Sequence, residues 1–457
     1  MVAISAQVGA DRNFKESHQF VDLVSMFAPI TKWSASVPSP RAIPEMFRKA
    51  FKTAETERPG AVYLAVPEDV DEAAADAAAR PLPRNVVRAE APSPSQVQRA
   101  ADLFRTAHKP ILLAGHGAAR NDAGKAVATF AERFSIPVAT SFHGKGVIPD
   151  DHPNAIGTIG FMRHDYANFG FDEADLIISV GYELQEFDPV RINPPADKKI
   201  IHIHRFPAEV DAHYSIDVGI EGDLSASLDA LTAALADYEQ PARPAPRVRA
   251  LLDDELTRGR QDDRYPLAPQ RIVADTRAAL GREDIVLVDT GALKMWMARL
   301  YPTYAPNTCL ISNGLSTMGF ALPGALGVSL AKPDTKVLAS VGDGSFLMHS
   351  QEIETAVREH IPLVVLVWED NGYGLIEWKM DLELGKHTAM SPSEIPMSCS
   401  MRRVFCAKGV RIGAADELLP TLREALASDG VAIIACPVDY SENLRLTTRL
   451  GELDAVL

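Results

Sequence analysis

The sequence predicts an α/β protein built as three doubly wound parallel-sheet domains, the first of them incomplete. Short β-branched runs alternate with helix-length amphipathic stretches, the pattern of strand–helix–strand units that makes parallel sheets. Two stretches rich in Ala and Pro, residues 73–94 and 237–247, interrupt the alternation and read as linkers. The 457 residues then divide near the usual domain size, into segments 1–85, 90–240 and 250–457.

The first segment opens on Met1 to Gln7, which reads as a buried strand, followed by helices over 20–27 and 43–54 and a strand over 60–66. That is half the complement of a doubly wound domain. A chain beginning inside a strand with no lead-in loop is expected to lack a preceding half, and a sheet cut there exposes apolar faces and an unpaired edge. The second segment gives a strand over 109–115, a Gly115-His116-Gly117 turn, a helix over 121–134 and strands over 136–140, 175–181 and 199–204. The turn stops at GxG without the third glycine of a dinucleotide fingerprint, so it reads as a remnant of the fold. His202 and His204 project from one face of their strand, but no third ligand stands at metal spacing, and a partly buried strand end is the expectation.

The third segment carries the chemistry. A strand over 336–341 runs into Gly342-Asp343-Gly344, a helical pattern covers 347–359, and a second apolar strand over 361–368 ends in Glu369-Asp370-Asn371-Gly372. If the strands are parallel neighbours, Asp343 and Asp370, 27 positions apart, emerge at one carboxyl edge of the sheet, where ligands bind in such folds. Mg²⁺ asks for oxygen ligands and normally shares them with substrate phosphates. Two carboxylates, a loop carbonyl and a diphosphate would complete such a site, with glycines letting backbone approach the phosphates and a helix N-terminus adding anion affinity.

Composition sets the outer bounds. Hydrophobic content of 46% supports buried cores, and a net charge of -15 argues against nucleic acid as a partner. No run of about 18 apolar residues occurs and the N-terminus lacks a basic-then-apolar segment, so neither a membrane span nor a signal peptide is predicted, and the cytoplasm is the default. Cys309, Cys399, Cys406 and Cys436 show no CxxC spacing and are expected as reduced thiols.

In its GDG and second acidic turn the chain resembles the thiamine diphosphate enzymes, whose signature has a metal ligand 27 residues after the GDG aspartate. The resemblance implies Asp343, Asp370 and the Gly372 carbonyl as Mg²⁺ ligands, with Gly342, Gly344, Ser345, Tyr373, Gly374 and Leu375 around the cofactor. Most members have Asn at the Asp370 position. The catabolic, flavin-independent acetolactate synthases are similar here, with Trp-Asn-Asp against Trp368-Glu369-Asp370, and Glu369 would add a further carboxylate near the metal. Residues 311–324 resemble the loop beside the cofactor, with Ser316 in contact and Met318 propping it into a bent form. Gly291, Ala292 and Leu293 match the segment that touches the diphosphate, residues 437–443 resemble the closing strand and tail, and Trp378, just past the clamp, reads either as lining the acceptor side or as a packed surface aromatic.

His18-Gln19 and residues 29–32 are similar to the second half of the pyrimidine-binding domain, which places Gln19 facing the active site. The half that would precede it carries the cofactor-activating glutamate of the family; no residue here falls on that position, and Glu16, Glu352 and Glu354 lie wrongly for it. Glu186-Phe187-Asp188-Pro189 stands where flavin-binding relatives carry an acidic pair followed by Arg, so no FAD is expected. The implied reaction condenses two pyruvates, or related 2-oxoacids, to 2-acetolactate and CO₂ in a homodimer or homotetramer. Another thiamine diphosphate 2-oxoacid decarboxylase, or a non-catalytic cofactor-binding paralogue, are the alternatives.

Overall fold

The computed structural model describes residues 1–74, 80–84, 89–160, 164–239, 248–385 and 407–447, so Cys399 and Cys406 and parts of both linkers lie outside the described residues. Two compact units divide the chain, Met1–Glu90 and Ala91–Leu457. Every strand pairing in either unit is parallel.

In the first unit, β1 (Val2–Gln7), β2 (Trp33–Ser36) and β3 (Val62–Pro67) form a sheet in the order β1-β3-β2. The central strand β3 is almost wholly buried because it has a neighbour on each side. The helix Ile43–Glu55 packs Ala50 and Ala54 on Val62 and Leu64, small residues that bring helix close to sheet. The expectation of a buried β1 is corrected: it is an edge strand with no fully buried residue, and Ile4 is 50% exposed. The short strand β2 was not anticipated, and the first helix is confined to Leu23–Phe27, capped by the Asp22 carboxylate on the Ser25 N–H.

The second unit holds two six-stranded sheets among the described residues. One comprises β4 (Pro110–Ala114), β5 (Val138–Thr140), β6 (Ala155–Thr158), β7 (Leu176–Val180), β8 (Lys199–His204) and β9 (Val218–Glu221), ordered β6-β5-β4-β7-β8-β9. This is the doubly wound order in which the chain winds outward from a central pair. The helix expected over 121–134 is two: His116–Arg120 begins on the GHG turn itself, and Gly124–Phe134 follows after Asp122 takes φ +52 and breaks the continuity. His202 and His204 are buried rather than half-exposed, because β8 has a strand on each side and their stacked rings face Tyr214 and Phe206.

The other sheet comprises β10 (Ile285–Val288), β11 (Cys309–Ile311), β12 (Val337–Gly342), β13 (Leu363–Glu369), β14 (Lys408–Arg411) and β15 (Val431–Pro437), ordered β11-β10-β12-β13-β15-β14. β13 and β15 are buried along their whole length, as continuous apolar runs in a parallel sheet covered on both faces require. The helix expected over 347–359 is again two, Asp343–Met348 and Glu352–Arg358. The break falls at His349, whose ring lies against Gly319, where an added Cβ would sit 2.3 Å from the His349 Cδ2. The His349 ring thus packs on the loop at Gly319, where no other side chain would fit.

Candidate active site

β10 and β12 are neighbours, yet their other neighbours, β11 and β13, lie on opposite sides. The chain winds away from this pair in both directions, which opens a crevice at its carboxyl end. Leaving β10, Asp289, Thr290 and Gly291 lead into the helix Ala292–Leu300; leaving β12, Gly342 caps the helix Asp343–Met348. A cleft at this point is lined by Thr290, Gly291, Ala292, Leu293, Met318, Gly342, Asp343, Gly344, Ser345, Asp370, Gly372, Tyr373, Gly374, Leu375, Ile376 and Tyr440.

Two carboxylates dominate its floor. Gly342 pairs in register with Trp368, so Asp343 and Asp370 leave adjacent strands within one residue of each other in height. Asp343 accepts from the backbone N–H of Gly344 and of Asn371, both at 2.7 Å, which ties the two turns together. Burial raises its pKa against the pull of those bonds. Asp370 is pushed up to about 8, first by burial and then by the negative charge of Asp343. Two carboxylates so close cannot both stay ionised cheaply without a cation. Among the described residues no three His, Cys, Asp or Glu side chains gather to hold a metal by themselves. A cation here would draw on a loop carbonyl and the ligand's own oxygens, as Mg²⁺ with a phosphate ligand does.

Glycine is a steric necessity at two positions. A Cβ on Gly344 would fall 2.9 Å from the Tyr373 ring, and one on Gly374 would fall 2.3 Å from Asp370 Oδ2. The terminal methyl carbon of Met318, Cε, stands 3.5 Å from the same Gly344 position, so the methionine overhangs the GDG turn. Its loop is strained and held: Gly314, Ser316 and Gly319 all take positive φ. Asp289, fully buried, accepts from Thr290 N–H (2.8 Å), Gly319 N–H (3.0 Å) and Ala321 N–H (2.7 Å), and Thr290 Oγ1 donates to the Ser316 carbonyl at 2.9 Å.

The structure thus brings to one cleft Gly291, Ala292, Leu293, Met318, Gly342, Asp343, Gly344, Ser345, Asp370, Gly372, Tyr373, Gly374 and Leu375. Others fall elsewhere. Ser316 does not line it; its hydroxyl accepts from Lys294 Nζ at 3.0 Å. Gln19 belongs to the first unit, where it is exposed in a turn at φ +59. Glu369 is corrected as a further carboxylate for a metal: it is buried against Arg411, whose guanidinium reaches Glu369 Oε2 at 2.8 Å. Alternation along β13 turns consecutive side chains to opposite faces. Trp378 is likewise corrected, being 6% exposed within the apolar core around Trp296 and Trp368.

Sequence reasoning missed Thr290, Ile376 and Tyr440. Tyr440 had a usable signal, since it follows a strand whose apolar run matches that of β13, and β15 pairs directly with β13. The larger groove in the first unit, lined by Ile43, Pro44, Phe47, Phe51 and Leu82, lacks comparable chemistry, and its Glu55 and Arg84 pair with each other at 2.8 Å.

A cleft at a sheet switch point, with two acidic turns and a helix N-terminus, has the donors and acceptors with which a diphosphate and a cation could be held. Residues 97–231 match the thiamine pyrophosphate enzyme central domain, and residues 289–436 match the C-terminal TPP binding domain of the same enzymes. The chain is 32% identical to a probable acetolactate synthase large subunit of Methanocaldococcus jannaschii, over 100% of this chain and 80% of that protein. It is 31% identical to an acetolactate synthase of Bacillus subtilis, over 98% and 79%, and 32% identical to a catabolic acetolactate synthase of Raoultella terrigena, over 98% and 81%. The chain belongs to the thiamine diphosphate-dependent enzymes, in the acetolactate synthase family.

Proposed function

We propose that this protein condenses two molecules of pyruvate to 2-acetolactate and CO₂, or related 2-oxoacids to the corresponding longer 2-hydroxy-3-oxoacid and CO₂, with thiamine diphosphate and Mg²⁺ as cofactors. The observation that carries the reading is the Asp343–Asp370 pair at the switch point, two buried carboxylates on adjacent strand ends whose mutual repulsion a cation would relieve. The glycine-rich lining fits the diphosphate end of the cofactor, since Gly291, Gly342, Gly344, Gly372 and Gly374 present backbone rather than side chains to the cleft. Asp343, Asp370 and the Gly372 carbonyl would hold Mg²⁺. The bound cofactor supplies the nucleophilic carbon and the electron sink that decarboxylation of a 2-oxoacid requires.

The chain's own residues bind, orient and shield. Free N–H groups at the start of the helix Ala292–Leu300 offer donors to a diphosphate. Met318, held over the GDG turn by Asp289 and Thr290, orients what lies beneath it and keeps water from the reacting carbon. Leu315, Tyr373 and Ile376 are exposed apolar side chains on this loop and around the cleft, which supports a homodimer or larger assembly.

In the loop that follows β7, Glu186 supports a flavin-free reading. Its buried carboxylate accepts from the His116 N–H and the Ser141 hydroxyl, occupying the donor that the first β–α turn would offer a dinucleotide.

The test is product analysis with pyruvate, thiamine diphosphate and Mg²⁺. Acetolactate supports the proposal. Free aldehyde would make the protein a simple decarboxylase, and cofactor binding without either product would make it a non-catalytic binder.

A further inference from the structure

Lys294 is a buried cation without a place in the scheme above. It follows Leu293 on the helix whose first residues line the cleft, and only 1% of it is exposed. Its ammonium donates to Ser316 Oγ at 3.0 Å and to Asn313 Oδ1 at 3.2 Å, with the Phe142 ring 5.8 Å away. Both acceptors belong to the loop that carries Met318, and Asn313 in turn donates to the Glu186 carbonyl at 3.0 Å. Ser316 needs such a tether, because it takes φ +50, a conformation that costs a non-glycine residue. Burying an ammonium is expensive, and a methionine of similar length would fill the volume without that cost.

We propose that Lys294 is a positioning residue for the cofactor: its ammonium latches the loop bearing Met318 to the helix bearing the diphosphate contacts. The proposal rests on the thiamine diphosphate reading of the cleft. Two hydrogen bonds from one charge fix Asn313 and Ser316, Ser316 fixes the backbone two residues before Met318, and the overhang above Gly344 is set by that backbone. Burial draws the Lys294 pKa down to about 8, which is the cost of keeping an ammonium out of water and the reason its two acceptors matter.

The test is calorimetric titration of the full chain with thiamine diphosphate in Mg²⁺, beside thermal unfolding of the cofactor-free protein. Lys294→Met is expected to weaken binding about tenfold, the scale of a lost charge-assisted hydrogen bond, while apo stability holds or rises. Lys294→Gln, which keeps an N–H donor, recovers part of the loss. In a Ser316→Ala background the Lys294→Met effect shrinks, because the latch is already open. Unchanged affinity in Lys294→Met would overturn the proposal. So would a fall in apo stability large enough to account for the weaker binding, since that is a purely structural role, and so would additive effects of the two substitutions. A wild-type protein that fails to bind thiamine diphosphate at all would remove the cofactor reading itself, an outcome distinct from these.

Discussion

Replacing Asp289 by Asn changes one atom and tests how the cofactor loop is held. The aspartate is wholly buried at the end of β10 and accepts three backbone N–H bonds, two at Oδ1 from Thr290 and Gly319 and one at Oδ2 from Ala321. An amide can keep its oxygen toward Thr290 and Gly319, but its NH₂ then faces the Ala321 N–H, donor against donor. The Ala321 bond is lost, two buried donors are left unsatisfied, and the remaining two bonds lose their charge assistance. With hydrogen bonds to charged groups worth about 1.5–3 kcal/mol and unsatisfied buried groups costing about 1–3 kcal/mol, the loss comes to roughly 3–5 kcal/mol. Asp289→Ala, which orphans all three donors, should cost more. The assay is urea unfolding followed by tryptophan fluorescence, since Trp296 and Trp368 lie in the same core, with cofactor affinity measured alongside. If Asp289→Asn unfolds at the wild-type midpoint and binds thiamine diphosphate as before, the argument that this carboxylate holds the Met318 loop is wrong.

Three further outcomes are expected. Because the folded-state pKa of Asp370 is raised to about 8, the folded cofactor-free protein binds more protons than the unfolded chain between pH 4 and 8, and apo stability should fall as pH rises through that window. Mg²⁺ with cofactor should flatten that slope, as should Asp370→Asn; a slope that survives in Asp370→Asn would place its origin elsewhere. Gly374→Ala drives a methyl to 2.3 Å from Asp370 Oδ2, so the carboxylate must turn aside and Mg²⁺-dependent cofactor binding should drop, as read by calorimetry. Asp165→Ala leaves Arg299, buried and bonded to Asp165 at 2.6 Å, with only Glu255 as its charged partner, and should destabilise the second unit by about 3–5 kcal/mol in denaturant unfolding.

Much of this protein was legible in its sequence because the signals are local. Strand β13 is an unbroken apolar run between punctuating turns, and a strand covered on both faces can be made of little else. The spacing of Asp343 and Asp370 is likewise local: one strand, one crossover and one more strand separate them, and parallel pairing then puts both at a single edge. Glycines at 344 and 374 were legible as turn punctuation, while their neighbours Tyr373 and Asp370 came only with the folded chain.

What the tertiary structure decided was every matter of direction and neighbour. Glu369 sits beside Asp370 in the chain, yet strand alternation and the arrival of Arg411 on β14 commit it to an ion pair away from the cleft. The helix after the GDG turn breaks at His349, whose ring packs on Gly319 about thirty residues earlier in the chain. Tyr440 and Asp289 reach the site through sheet order and hydrogen bonds that span distant segments. Local sequence fixes which elements form, since propensity and periodicity act over a few residues; which side chains meet depends on packing between elements, and that exists only once the sheet has been assembled.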